Sequence, residues 1–292
     1  MHGAALRQSP HGRQMPQKNP LKVSRRRAGR TRVGNFLRTL RIDHGPVELL
    51  GQFFLKAEMA ARIRGLDLSF GSFAELAAVN IQNRQYWAPL LPQFRVGADG
   101  LSEDTAFCIL GRNAAGDVVA TQAARFFDIS KSTLQREAES LRLFYGSGKK
   151  PSGATCRIRS PIAKKIRGYV AYSGSGWYRP DYRGIQLSAI LPRISRAYAL
   201  ARWNTETTVS FINAGLVEKG VAARYGYTRL DGEVRMQNVF APEFKGVVAW
   251  MPRDELISDV QHFLETFDAQ VDVGAEAGRS HEQPLATGSR ER

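Results

Sequence analysis

Gly176–Trp203, GWYRPDYRGIQLSAILPRISRAYALARW, is the stretch of this 292-residue chain best suited to hold a ligand. Its first residues are aromatic and suit a strand. A proline, an arginine and a glycine follow. Then Leu187, Ile190, Leu191, Ile194, Tyr198 and Ala201 recur at intervals of three and four, the spacing of one buried helix face. A strand that turns at Arg-Gly into a helix aims free N–H groups, and the positive end of a helix dipole, at the turn. Such a turn suits an anion, and a pyrophosphate fits it. An ordinary strand–turn–helix joint without a ligand has the same local pattern, so both readings stand at this level.

Other chemistry-bearing patterns are weaker. SGKKPSG at Ser147–Gly153 is not a phosphate loop, because no glycine lies five residues before Gly148 and Lys150 stands where Ser or Thr should follow the lysine. It reads as a flexible basic loop. Ser173 and Ser175 in YSGSGW lack the flanking glycines of a nucleophile elbow. Cys108 and Cys156 have no metal-ligand spacing and cannot build a disulfide framework. They read as plain thiols, and no metal site is expected.

The surrounding elements must position the turn. Pro46–Gly65 reads as a helix with Leu49, Leu50, Phe53, Phe54, Ala57 and Ala60 on its apolar face. A second helix is expected over Phe73–Trp87, with Ser72 as its N-cap. Its Asn80, Asn83, Arg84, Tyr86 and Trp87 could line a substrate cleft or form one polar helix face with aromatic anchors. Thr105–Leu110 and Asp117–Phe127 flank GRNAAGD as a hairpin. Lys131–Tyr145 is expected to be helical, and Ile166–Ala171 a strand whose following glycines bulge it or split it from a neighbour. Further strands are expected at Thr207–Ile212, Tyr227–Leu230, Val234–Phe240 and Gly246–Met251. Helices are expected at Leu216–Tyr225 and Arg253–Phe267. The order is α+β.

Charge divides the chain. Residues 1–42 carry eleven Lys or Arg and no Asp or Glu, whereas the other 250 residues carry 31 basic and 27 acidic side chains. The expected organisation is a disordered basic tail over 1–42, one domain over 43–268 with a helical N-terminal part to residue 100, and a disordered polar tail over 269–292. The basic tail could contact nucleic acid or an anionic membrane surface through salt-dependent attraction. The favoured expectation is a weakly constrained extension. No apolar run approaches a membrane span, and the polar N-terminus has no apolar signal region, so a cytoplasmic protein is expected.

Three stretches within Leu101–Phe267 together make the sequence resemble the GCN5-related N-acetyltransferase (GNAT) superfamily. GDVVA at Gly116–Ala120 resembles the family's turn into its third strand. YRPDYRGIQLS at Tyr178–Ser188 resembles its acetyl-CoA motif, and ARYGY at Ala223–Tyr227 the Gly-aromatic end of its fourth helix. The resemblance implies a GNAT-like acyl-CoA N-acyltransferase fold with a central, mixed, mostly antiparallel sheet. It also implies transfer of an acetyl group from acetyl-CoA to an amine of a small molecule or a protein.

By the same resemblance, Arg183, Gly184, Ile185, Gln186, Leu187 and Ser188 hold the CoA pyrophosphate. Tyr178 and Arg179 meet the pantetheine arm through their main chain, and the sheet opens between this strand and Thr207–Ile212. The chain departs from the motif at Gln186 and Ser188, where the family prefers Gly or Ala. Pro192 would kink a helix that already began at Gly184. The family's usual catalytic tyrosine position holds Ala222. Tyr225 is therefore the candidate acid, with Tyr227 packing as the aromatic of the Gly-aromatic pair. Glu206 and Glu218 are candidate bases, or plain surface carboxylates. The five histidines lie outside these motifs. The alternative function is a catalytically inactive GNAT-fold binding or regulatory protein with a nucleic-acid-contacting tail.

Overall fold

The structure is a computed structural model that describes residues 35–268. Expectations for residues 1–34 and 269–292 lie outside the described residues. The chain begins with α1 (Asn35–Thr39), α2 (Val47–Ile63), β1 (Asp67–Gly71) and α3 (Phe73–Gln82). A hairpin follows, β2 (Ala106–Arg112) and β3 (Val118–Asp128), then α4 (Leu134–Glu139), α5 (Arg142–Tyr145) and β4 (Thr155–Arg159). The central part is β5 (Tyr169–Tyr178), α6 (Leu187–Trp203) and β6 (Thr207–Asn213). The rest comprises α7 (Ala214–Glu218), α8 (Val221–Arg224), β7 (Arg229–Gln237), β8 (Glu243–Pro252) and α9 (Arg253–Thr266).

The eight strands form one sheet in the order β1-β2-β3-β5-β6-β8-β7-β4. Every adjacent pair is antiparallel except β5 with β6, which run parallel. Strand alternation sends successive side chains to opposite faces. In β2, Phe107 and Ile109 join one hydrophobic cluster while Cys108 and Leu110 join the other. The first cluster packs α2, α6 and α9 on one face. The second packs α3, α4 and α5 on the other. This is a mixed, mostly antiparallel α+β sheet with helices on both faces, as expected.

Several boundaries differ from the sequence expectation. Residues 35–42 are not tail: Phe36 in α1 is fully buried, with its ring 5.1 Å from Phe70 and 6.2 Å from Phe54. A five-residue helix is too short to have a readable periodicity. The region to residue 100 is not purely helical, because β1 pairs with β2. Its DLSFG sequence is too short to declare a strand without its partner. The helix expected over Lys131–Tyr145 breaks at Leu141, which takes a positive φ of 64°, and its cap is Thr133. β4, absent from the sequence reading, pairs with β7 at the sheet edge.

Candidate active site

The site arises where the sheet stops being continuous. β5 and β6 pair only from Val170 with Thr207 to Tyr172 with Val209. Beyond that point β5 bulges. Gly174 pairs with Ala123 and Trp177 with Thr121, so Ser175 and Gly176 together oppose the single residue Gln122. Ser175 takes a positive φ of 52°, and its carbonyl accepts a hydrogen bond from Thr121 Oγ1 at 2.8 Å. An extra residue bends a strand and increases its twist. The glycine-rich YSGSGW thus supplies the bulge and split that its composition implied.

The split leaves a cleft of about 180 Å³. Its walls come from Tyr172–Gly176 of β5, Ser210–Asn213 of β6, Pro192 of α6, Leu216, Tyr225 and Tyr227, together with Gln122 of β3. Trp87–Leu91, Met236, Phe240 and Phe244 complete the lining. The hydroxyl of Tyr225 lies 3.7 Å from where a side chain on Gly176 would begin. Burial pushes the Tyr225 phenol above its ordinary range, partly offset by Arg224. Tyr225 is half-buried and its phenol stays protonated, the state a proton donor needs.

Buried arginines fix the segment that carries Tyr225. Arg196 donates from Nη2 to the Tyr225 carbonyl at 2.6 Å and to Asp259 at 3.2 Å. Arg193 donates to the Arg224 carbonyl at 3.1 Å and holds Asp259 through both carboxylate oxygens. Gly226 follows with a φ of +87°, and a Cβ there would lie 2.7 Å from Arg193 and 2.8 Å from Arg196. Only glycine fits both the conformation and the space. Tyr227, buried beneath Arg196 with the guanidinium 4.6 Å from its ring centre, packs as the resemblance implied. Ala222 is buried in the core.

The Arg183–Ser188 turn stands at the N-terminus of α6. Gly184 takes a φ of +82°, with no atom within 4 Å of where a Cβ would sit. Gln186 also takes a left-handed φ of 62°. Its side chain is drawn to α2, where Arg64 Nη2 donates to Gln186 Oε1 at 3.0 Å and Arg64 Nε donates to the Ile185 carbonyl at 2.8 Å. α6 begins at Leu187, not Gly184, and continues through Pro192 as one 17-residue element. Leu187 and Ser188 lie in its first turn, where N–H groups have no intrahelical acceptor. That turn has no acidic residue. The open glycine, the restrained Gln186 and the free N–H groups together fit a pyrophosphate.

The other residues singled out by sequence take different positions. Arg183 is exposed and donates from Nε to the Tyr178 carbonyl at 3.1 Å. The main-chain N–H of Arg179 bonds Val119 and its carbonyl accepts from Tyr182, so both of these groups already have partners. Its guanidinium pairs with Asp181 and Asp117. Because successive strand residues turn their peptide groups to opposite edges, Tyr178 faces the edge that Arg179 does not. The Tyr178 hydroxyl is buried without a hydrogen bond among the described residues. Glu206 stands at the closed end of the β5–β6 pair, where its main-chain N–H bonds the Tyr169 carbonyl. Neither Glu206 nor Glu218 lines the cleft, which corrects both as candidate bases.

From the Asn80–Trp87 cluster, Trp87 lines the cleft, stacked on Trp177 with centroids 5.2 Å apart. Asn80 is buried and bonds the Ala88 carbonyl. Sequence reasoning missed Gln122 and Arg64. Gln122 sits in an ordinary alternating strand and is marked only by the bulge opposite, while Arg64 reads as a basic residue at a helix end. Among the described residues no His, Cys, Asp and Glu group could hold a metal ion, and no helix is long and apolar enough to cross a membrane. Cys108 and Cys156 are buried, each thiol pushed up to about 12 by desolvation, which leaves them unreactive.

The splayed parallel pair, the bulged strand and the following glycine turn into a long helix are the features of this α+β sheet that build the site. No protein family and no curated protein matches the sequence. Among solved structures, a mutant of spermidine N-acetyltransferase SpeG from Vibrio cholerae is similar over 66% of this chain and 96% of its own, with 6% identity and a TM-score of 0.40. RimJ from Mycobacterium smegmatis, in complex with CoA-disulfide, is similar over 68% of this chain and 88% of its own, with 10% identity and a TM-score of 0.40. Aminoglycoside acetyltransferase AAC(6')-Ib, in complex with coenzyme A and kanamycin, is similar over 69% of this chain and 98% of its own, at 12% identity and a TM-score of 0.37. Likeness at that level assigns no activity.

Proposed function

We propose that this chain is an N-acyltransferase that moves an acetyl group from acetyl-CoA to an amine. One observation carries the proposal: the one parallel strand pair among the described residues parts after Tyr172 and Val209, and the phenol of Tyr225 lines the resulting cleft. Acetyl-CoA, when bound, supplies an acyl carbon activated as a thioester. Arg183 to Ser188 hold its pyrophosphate through N–H groups and the dipole of α6. Arg64 keeps Gln186 out of that space. Tyr178 offers its main-chain N–H to the pantetheine arm, its carbonyl being bonded by Arg183. Tyr225 donates its phenolic proton to the leaving sulfur as the carbon–nitrogen bond forms and the carbon–sulfur bond breaks. The nitrogen gives up one proton, which returns Tyr225 to neutrality, so charge and atoms balance.

Acetyl-CoA titrated into the full chain should raise its melting temperature in a saturable way. A free-thiol assay should then report CoA release only when an amine is added. Absence of any shift at millimolar acetyl-CoA would overturn the proposal.

A further inference from the structure

The cleft lining has an unusual composition. Trp87, Phe240, Phe244, Met236, Leu90 and Leu91 are part of it, and no Asp or Glu appears anywhere in the lining. The titratable groups in the wall are Tyr172, Tyr225 and Tyr227, each pushed upward by burial and therefore neutral. The full charges behind the wall are cationic: Arg193 and Arg196 share the single carboxylate of Asp259, and Arg224 acts on Tyr225. An ammonium ion entering this cleft would lose its water without gaining a counter-ion, which disfavours it against a neutral amine.

Two buried polar atoms of the wall make no hydrogen bond among the described residues, the Tyr227 hydroxyl and Gln122 Oε1. Gln122 is 3% exposed, and its Nε2 donates to Ser173 Oγ and to the Gly174 carbonyl, both at 3.1 Å. Those two bonds fix the amide so that Oε1 is the free end, and Oε1 makes no hydrogen bond among the described residues. It lies beside Gly176, on the side where Tyr225 places its hydroxyl. A buried acceptor left unpaired costs free energy, and a ligand N–H would recover it.

We propose that the acceptor is a weakly basic aromatic amine that enters uncharged, gives an N–H to Gln122 Oε1, and lays its ring between Trp87 and the Phe240–Phe244 pair. This rests on the acyltransferase reading for its choice of an amine. Its own content is the neutral charge state and the aromatic body.

Two isomeric amines separate these features: 4-ethylaniline is uncharged near neutral pH and 2-phenylethylamine is a cation. Calorimetric titration and tryptophan emission, on the full chain with saturating CoA, should show 4-ethylaniline binding at least about tenfold tighter. Gln122→Glu should move the preference toward 2-phenylethylamine by about tenfold or more. Should that variant fail to fold, Trp87→Ala should weaken 4-ethylaniline about tenfold while leaving CoA affinity in place. Tighter binding of 2-phenylethylamine or spermidine to the unaltered protein, or no binding of either isomer, overturns the inference. CoA is titrated separately in the absence of amine. Saturable CoA binding without the amine preference sinks the acceptor assignment alone, whereas the preference without CoA binding sinks the acyltransferase reading.

Discussion

The turn before α6 and the cleft are built on opposite principles. The turn is exposed and polar: it offers Arg183, the N–H groups of a helix start and a glycine with open space, and the first turn of α6 has no acid. The cleft is lined mainly by apolar side chains, carries no carboxylate and keeps its phenols neutral. Both are reached from β5, whose bulge at Ser175–Gly176 lies in the cleft wall and whose last residues lead to the turn. A polyanionic donor and an uncharged acceptor would each find one of them suitable and the other hostile. The lesson is that a single strand can serve two chemically distinct compartments without a second domain.

Substitutions that act on one of the two and spare the other test this contrast. The largest effect is expected from Tyr225→Phe, which removes the proton donor and should lower kcat by about 100-fold or more, with acetyl-CoA affinity unchanged by calorimetry. Gly226→Ala comes next. Its Cβ would meet both buried arginines and force a left-handed alanine, so Tyr225 should shift and kcat should fall by about tenfold or more, with a lower melting temperature. Arg64→Ala acts at the turn. Losing charged hydrogen bonds to Ile185 and Gln186 should weaken acetyl-CoA by about tenfold while kcat at saturation holds. The smallest effect concerns pH. Desolvation raises the Tyr225 phenol above its usual value near 10, so the acid form is lost only as pH rises beyond that. The kcat profile should show no alkaline fall below about pH 10 attributable to this residue; a fall centred near pH 8 would remove Tyr225 as the acid.

The sequence showed most of what depends on local pattern. Helix spacing placed the apolar face of α6, the turn residues placed the β2–β3 hairpin, and the glycines of YSGSGW announced the bulge. Ser72 caps α3 through a bond from Glu75, as its residue type suggested. What stayed hidden depends on partners distant in the chain. β1 and β4 become strands through pairing with β2 and β7. Phe36 enters the core only because Phe54 and Phe70 are there to receive it. At the site, Gln186 is bonded by Arg64, 122 positions earlier, and Gln122 becomes notable only opposite a bulge. Glu206 was a candidate base by chain position, yet topology puts it at the paired end of the strands.

The most direct test of the central claim is calorimetric titration of acetyl-CoA into the full chain and into Arg183→Glu. Arg183 is exposed, so reversing its charge should leave the fold intact while placing a negative group against the pyrophosphate site. The account predicts saturable binding in the micromolar range to the unaltered protein and no measurable binding to the variant. Full-strength binding by Arg183→Glu would contradict the placement of the donor at the start of α6.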